Sequence, residues 1–278
     1  MKLRMYLDFI KIEHTLFALP FAYIGAIMAA PISLGTAFLI FTAFTGLRTA
    51  AMTFNRIIDA EIDAKNPRTA NRHIPRGLIS VREAYSIAAV ALAVYFASAF
   101  LLNRTAAILS PIPPIVAYVY PYLKRFTCLC HYVLGLNLAL APLGGFVAAT
   151  DSIDFLGRGL EVTLIAAGVV FWVAGFDMIY ALQDVEFDRR EGLHSLPAHF
   201  GEGFALLAAK LNHVAFLALV SMILKLAALP VALLLVLEHA IVHLKPEKLE
   251  YAFYHVNAAI SVTLLASVIQ HSGVLPCT

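Results

Sequence analysis

The sequence predicts an all-α, multi-pass membrane protein with about nine transmembrane helices, and three observations carry that expectation. Of the 278 residues, 61% are hydrophobic and 14% charged, with a mean hydropathy of +0.81. A soluble domain carries roughly 45–50% apolar and about 25% charged residues. The apolar residues also fall in continuous runs, which suit helices rather than the alternating strands of a membrane barrel. Finally, lysine and arginine gather on alternate connections between those runs. A soluble enzyme lacks the polar surface such a chain would need, and disorder requires the opposite composition.

Nine segments approach the ~20 apolar residues of a membrane span. The first, 13–31, follows a charged amphipathic arm from Lys2 to Glu13. Ala29 and Ala30 resemble a signal-peptidase site, but the run is long and holds Pro20, so it reads as a retained span. The second, 35–57, carries Arg48 and ends at an acidic motif. The third and fourth, 82–102 and 105–123, are joined by Asn103–Arg104 and must be an antiparallel hairpin. The fifth is 131–150, and the sixth, 160–183, ends at a second acidic motif. The last three are 203–224, 226–244 and 252–271, so the whole chain, 1–278, reads as one transmembrane domain.

Sixteen of the twenty basic residues fall on the N-terminal arm and on the even-numbered connections, against Arg104, Arg158 and Lys225 opposite, with Arg48 inside a span. The positive-inside rule then puts the N-terminus in the cytoplasm and the C-terminus outside the cell membrane, an odd number of crossings. Basic residues scattered over many short loops form no patch for nucleic acid. Cys128, Cys130 and Cys277 show neither metal spacing nor a disulfide framework and read as small apolar residues.

Two acidic motifs, 55–63 and 177–188, interrupt this pattern at matching depth. Asn55, Asp59 and Asp63 are spaced i, i+4, i+8, and Asp177, Tyr180, Asp184 and Asp188 are spaced i, i+3, i+7, i+11. On a helix each set stacks on one face, where like charges repel unless a cation intervenes. Hard oxygen donors in this number suit Mg²⁺, which binds through a few carboxylates together with substrate phosphates. Facing each other, the motifs would hold two ions and clamp a diphosphate. The plainer alternative is a pair of solvated helix ends. Basic loops follow both motifs: Lys65, Arg68, Arg72 and Arg76 lie after the first, in a loop punctuated by Pro67, Pro75 and Gly77. Lys124 and Arg125 close the fourth span. Arginine forks and lysine point charges match phosphate oxygens, Arg72 and Lys124 foremost. Arg48 lies two turns deeper than Asn55 on the same face, where a cation must find a cavity or a partner; an anionic acceptor such as a carboxylate would serve.

Together, Asn55-x3-Asp59-x3-Asp63, the loop Ala70-Asn-Arg72-His-Ile-Pro75-Arg-Gly77, Tyr120-x3-Lys124 and Asp177-x2-Tyr180-x3-Asp184-x3-Asp188 resemble the UbiA superfamily of intramembrane prenyltransferases. His14-Thr-Leu-Phe-Ala-Leu-Pro20-Phe and Gly192-Leu-His-Ser195-Leu-Pro197 are similar to it in style, and the resemblance runs over about 8–270. It is strongest to the 4-hydroxybenzoate polyprenyltransferase-like branch. The resemblance implies nine helices around a central cavity with cytoplasmic caps. It also implies Mg²⁺-dependent transfer of a prenyl group from a polyprenyl diphosphate to an aromatic acceptor in lipoquinone biosynthesis. Asn55, Asp59, Asp63, Asp184 and Asp188 would be metal-site residues. Arg68, Arg72 and Lys124 would contact the diphosphate, Tyr120 would lie near the allylic carbon, and Asp177 near the acceptor.

Chemically, the allylic cation needs a dry pocket with π faces, for which Tyr120 and Tyr180 are the first candidates and Phe21, Tyr23 and Phe54 weaker ones. Membrane lipid would receive the tail through a lateral opening. Two alternatives differ in outcome: prenyl transfer to a non-aromatic lipid acceptor such as a glycerophosphate, and secondary transport. The acids lie at span ends rather than at the midplane, which argues against a transporter.

Overall fold

The structure, a computed structural model, describes residues 2–272, the side chains of His14 and Leu16 apart. Its helices are α1 (Lys2–Ile10), α2 (Ile12–Ala29), α3 (Leu34–Ile58), α4 (Ala60–Lys65), α5 (Val81–Leu102), α6 (Arg104–Leu109), α7 (Ile112–Leu123) and α8 (Cys130–Thr150). They continue with α9 (Leu160–Tyr180), α10 (Val185–Glu191), α11 (Leu196–Phe200), α12 (Glu202–Leu224), α13 (Leu229–Leu244), α14 (Leu249–Tyr251) and α15 (Asn257–Ser272). Cys128 and Cys130 are free thiols, and Cys277 lies outside the described residues.

Seven helical stretches among the described residues are long and apolar enough to cross a membrane, and Phe17–Ala29 is a shorter apolar helix. Each of the nine predicted segments coincides with helix, but they are partitioned differently. Segments 203–224 and 226–244 share one stretch, Glu202–Leu244, which is interrupted at Lys225, where φ is 52° and a 3-10 turn follows. The fourth segment is also two pieces, α6 and α7. Pro114 has no N–H to offer the Ser110 carbonyl one turn earlier, and the Tyr95 hydroxyl donates to that oxygen instead at 2.9 Å. In hydrocarbon such a substitute is obligatory, because no water is there to supply one.

Small residues let the helices close on one another. A Cβ on Gly25 would sit 1.8 Å from the Pro142 carbonyl oxygen, and one on Gly145 would sit 2.0 Å from that of Ala22, so α2 and α8 touch backbone to backbone. This is how membrane helices gain packing where lipid offers no hydrophobic drive. Gly145→Val must push these helices apart and is expected to lower the thermal unfolding midpoint in detergent by roughly 3–10 °C. Gly144→Ala, with nothing within 4 Å of the new methyl group, serves as the control in the same scan.

The remaining contacts close a ring. α3 lies along α5, α8 packs on both α2 and α9, α9 on α12, and α15 returns to α2. Trp172, Phe21, Phe216 and Leu264 of α15 are fully buried in one apolar cluster. Outward, Val90, Phe100, Ile115, Val214 and Val236 are exposed, an apolar exterior that only a lipid solvent accommodates. The protein is therefore a multi-pass integral membrane protein.

Candidate active site

Both acidic motifs sit where a membrane helix breaks into a short helix outside it. α3 ends at Ile58, Asp59 forms the joint (φ −91°, ψ 1°), and α4 carries Asp63. α9 ends at Tyr180, a 3-10 turn spans Ala181–Asp184, and α10 carries Asp188. The single straight helical face expected for the second motif is thus divided by the tighter turn. Twelve residues singled out from the sequence, Arg48, Asn55, Asp59, Asp63, Arg68, Arg72, Tyr120, Lys124, Asp177, Tyr180, Asp184 and Asp188, line one cavity of about 320 Å³, whereas Lys65, Arg76 and Arg125 do not.

Three of the five cavity aspartates are paired with a Lys or Arg. The Lys124 ammonium donates to Asp59 Oδ2 at 2.8 Å, Asn55 Nδ2 donates to the same oxygen at 3.1 Å, and Arg125 Nη2 reaches Asp59 Oδ1 at 3.5 Å. Arg72 Nη1 is 2.7 and 2.6 Å from the two oxygens of Asp63. Arg68 grips Asp184 with Nε at 3.0 Å and with Nη2, and donates to the Tyr180 hydroxyl at 2.8 Å. Asn66 adds a donor to Asp184 at 2.8 Å, and Ser195 donates to Asp188 Oδ2 at 2.5 Å. Lys65 to Glu191, at 2.9 Å, ties the loop of one motif to the helix of the other.

These are not solvated helix ends. Asp59 is 2% exposed, Asp63 4% and Asp188 9%. Burial pushes the Asp59 carboxyl above the ordinary carboxylate range, against the pull of Lys124. Among the described residues, no three acid, histidine or cysteine groups converge on a closed metal cage. Hard oxygens without a cage fit Mg²⁺ in its usual manner, shared between a few carboxylates and substrate phosphates.

Two cations behave differently. Arg56 is buried, lines the cavity, and leaves Nε and Nη1 without a hydrogen-bond partner. A buried guanidinium without an acceptor is costly, and it marks a place where an anion fits. The sequence had placed Arg56 only among the topology-setting basic residues. Arg48, eight residues earlier and about 12 Å deeper at 1.5 Å per residue, also lines the cavity, and the ionisable group facing it is Tyr120.

The cavity wall is aromatic. Tyr180 stacks on Phe253 with centroids 4.2 Å apart, and Phe176 meets Phe253 edge-on at 5.4 Å. Phe253 and Tyr254 lie in a π-helical turn, Ala252–Val256, a distortion that often accompanies functional sites. Of the weaker aromatic candidates, Phe21 packs on Trp172 at 5.0 Å, Tyr23 donates to the Ala37 carbonyl, and Phe54 meets Tyr118 edge-on. None of those three lines the cavity. A second, apolar cavity of about 250 Å³ lies between α3, α5, α6 and α8 and shares Phe44, Leu47, Leu140 and Ala141 with the first.

Sequence reasoning also missed Asn66 and His131. Asn66 was visible within the loop but carries no spacing signal of its own. His131 on α8 meets Asp177 only in three dimensions, its Nδ1 lying 2.7 Å from Asp177 Oδ2.

Comparison with known proteins agrees with this geometry. The UbiA prenyltransferase family model matches residues 18–261. A structure described as a UbiA homolog from Aeropyrum pernix K1 is 40% identical, with a TM-score of 0.85 over 93% of this chain and 98% of that one. A UbiA homolog from Archaeoglobus fulgidus, described as bound to DMAPP and Mg²⁺, has a TM-score of 0.73 over 97% of this chain and 99% of its own, and at 22% identity shows the shared fold. A curated 4-hydroxybenzoate octaprenyltransferase of Aliivibrio fischeri is 32% identical over 155 residues, 56% of this chain and 53% of that protein. The chain thus spans about half the length of that curated relative.

Proposed function

The chain belongs to the UbiA prenyltransferase family, and we propose that it joins the prenyl group of a polyprenyl diphosphate to a ring carbon of a carboxylated aromatic acceptor. The acceptor is of the 4-hydroxybenzoate or naphthoate kind, and the product feeds lipoquinone synthesis. One observation carries this reading: Arg48 and Arg56 line the same cavity at two depths, each without an ion pair among the described residues, where every cavity aspartate already has a partner. That leaves room for two anions, a diphosphate at the charged mouth and a carboxylate deeper in. The name of the Aliivibrio fischeri relative supports an aromatic acid as the acceptor.

Asn55, Asp59, Asp63, Asp184 and Asp188 would hold two Mg²⁺ ions, whose charge would make diphosphate a competent leaving group. The chain's own residues do the rest. Arg68, Arg72 and Lys124 exchange their aspartates for phosphate oxygens, with Arg56 as a fourth donor, so the net charge of the buried site changes little on loading. Tyr120 and Tyr180 present π faces to the allylic carbon as its C–O bond breaks, and the closed apolar wall keeps water from quenching the cation. Arg48 holds the acceptor's carboxylate and thereby fixes which ring carbon faces the allylic carbon. The tail lies in the apolar cavity beside Phe44 and leaves laterally into lipid. The capped face, with its sixteen basic residues, lies in the cytoplasm, with the N-terminus on that side and the C-terminus outside.

Gly144 lines the apolar cavity and has open space around it. Gly144→Phe is expected to cut kcat/KM for long prenyl diphosphates about tenfold while sparing a five-carbon donor, measured over a chain-length series. The proposal as a whole is tested by incubating purified protein with Mg²⁺, labelled geranyl diphosphate and separate hydroxybenzoates, hydroxynaphthoates and a glycerophosphate lipid. A prenylated aromatic acid with one diphosphate released per product is expected. A glycerophosphate ether as the sole product would replace the acceptor assignment, and uptake into vesicles without diphosphate release would favour transport.

A further inference from the structure

Two cavity aspartates, Asp177 and Asp188, pair with neither Lys nor Arg among the described residues. Asp177, on the last turns of α9, accepts instead from a histidine that is itself shut away from the cavity. His131 is 2% exposed, and its two ring nitrogens are both engaged. The backbone N–H of Leu196 donates to Nε2 at 3.1 Å, so that nitrogen carries no proton. The ring proton must therefore sit on Nδ1, where it is donated to Asp177 Oδ2 at 2.7 Å. Asp177 Oδ1 makes no hydrogen bond among the described residues, and Asp177 lines the cavity within electrostatic reach of Tyr120. The result is a carboxylate on the cavity wall with one oxygen clamped by His131 and the other without a hydrogen-bond partner among the described residues.

The clamp is built from the segment Gly192–Pro197, which the metal and diphosphate assignments leave without a role. Ser195 Oγ holds Asp188, and the next residue, Leu196, holds His131. The same segment is tied to the fourth predicted span, where His194 N–H donates to the Lys124 carbonyl at 2.6 Å. Adjacent residues of one short segment therefore fix an aspartate of the second acidic motif and, through His131, the deeper aspartate of the same motif.

We propose that His131 is the positioning residue for Asp177, and that Asp177 is the base that removes the ring proton after carbon–carbon bond formation. The proposal rests on the aromatic-acceptor reading above. In balance, the prenyl C–O bond breaks and its electron pair leaves with diphosphate. A ring π pair forms the new C–C bond, the ring C–H pair returns to the ring, and the proton passes to Asp177 Oδ1. Because Leu196 occupies Nε2, His131 relays no proton; its Nδ1–H holds Oδ2 so that Oδ1 faces the ring. A general base contributes roughly 10²–10⁴ in rate, and the loss of its orientation should remove the lower part of that range.

The test uses the full-length protein in detergent or nanodiscs, with Mg²⁺, geranyl diphosphate and the aromatic acid turned over by wild type, prepared with hydrogen or deuterium at the ring positions ortho to its hydroxyl. For His131→Ala, prenylation kcat is expected to fall about 100-fold, with a primary isotope effect that wild type lacks because proton loss has become slow. The KM for geranyl diphosphate and acceptor-independent diphosphate release should each change less than about threefold, since neither step needs the base. His131→Gln, which keeps a donor for Asp177 and an acceptor for Leu196, should recover activity to within about fivefold of wild type. Equal losses of prenylation and diphosphate release in His131→Ala, no isotope effect, or glutamine no better than alanine would each overturn the proposal. Wild-type protein that forms no prenylated aromatic product would instead overturn the acceptor reading itself, so the two failures are separable.

Discussion

Asp59→Asn is expected to lower prenyl transfer by about a thousandfold or more, with the folded fraction nearly unchanged. The substitution keeps the shape of the side chain that Asn55, Lys124 and Arg125 address. It removes the charge from a position 2% exposed, where the surrounding low dielectric makes that charge most effective. The fold tolerates the loss because Lys124 and Arg125 keep 29% and 26% of their side-chain surface exposed and can turn toward water. Asp184→Ala should behave alike, releasing Arg68, whose second partner, the Tyr180 hydroxyl, remains. Initial rates at saturating Mg²⁺ and prenyl diphosphate, alongside thermal unfolding of each variant, check both. Wild-type rates in either variant would contradict the metal assignment.

Arg48→Leu is expected to act on the acceptor and not on the diphosphate. A guanidinium paired with a carboxylate in a buried cavity makes a charge-assisted contact that discriminates strongly against anything lacking the charge. For a carboxylated acceptor, KM should rise about 100-fold, while the corresponding methyl ester or simple phenol should be turned over equally by variant and wild type. The KM for prenyl diphosphate should stay put, because Arg48 lies about 12 Å along α3 from Arg56 and the charged mouth. A uniform loss over all acceptors would show that Arg48 supports the helix bundle rather than the substrate.

Much of the architecture was legible in one dimension because lipid imposes it. Continuous apolar runs must be helices, so all nine segments coincide with helix, and the acids that break the pattern must find partners, so they converge. The interruptions were less legible. Nothing in the composition around Lys225 distinguishes one broken stretch from two separate spans, and the 3-10 turn at Ala181–Asp184 ends on a residue whose partners, Arg68 and Asn66, lie more than 100 residues away in sequence. Individual partners were the hardest to read. Arg56 has the same residue type and neighbourhood as any positive-inside arginine, and only its burial without an acceptor sets it apart. His131 stands 46 residues from Asp177, with no periodicity linking them, because the pairing is made by the packing of α8 on α9.

In the proposed mechanism, the basic side chains paired with Asp59, Asp63 and Asp184 exchange partners when Mg²⁺ and a prenyl diphosphate arrive together. Equilibrium binding of geranyl S-thiolodiphosphate, which resists ionisation, tests this directly. The analogue should bind about 100-fold tighter with Mg²⁺ than without, Mg²⁺ alone should bind weakly, and Asp59→Asn should abolish the enhancement. Analogue affinity independent of Mg²⁺, or tight Mg²⁺ binding to the protein alone, would contradict it.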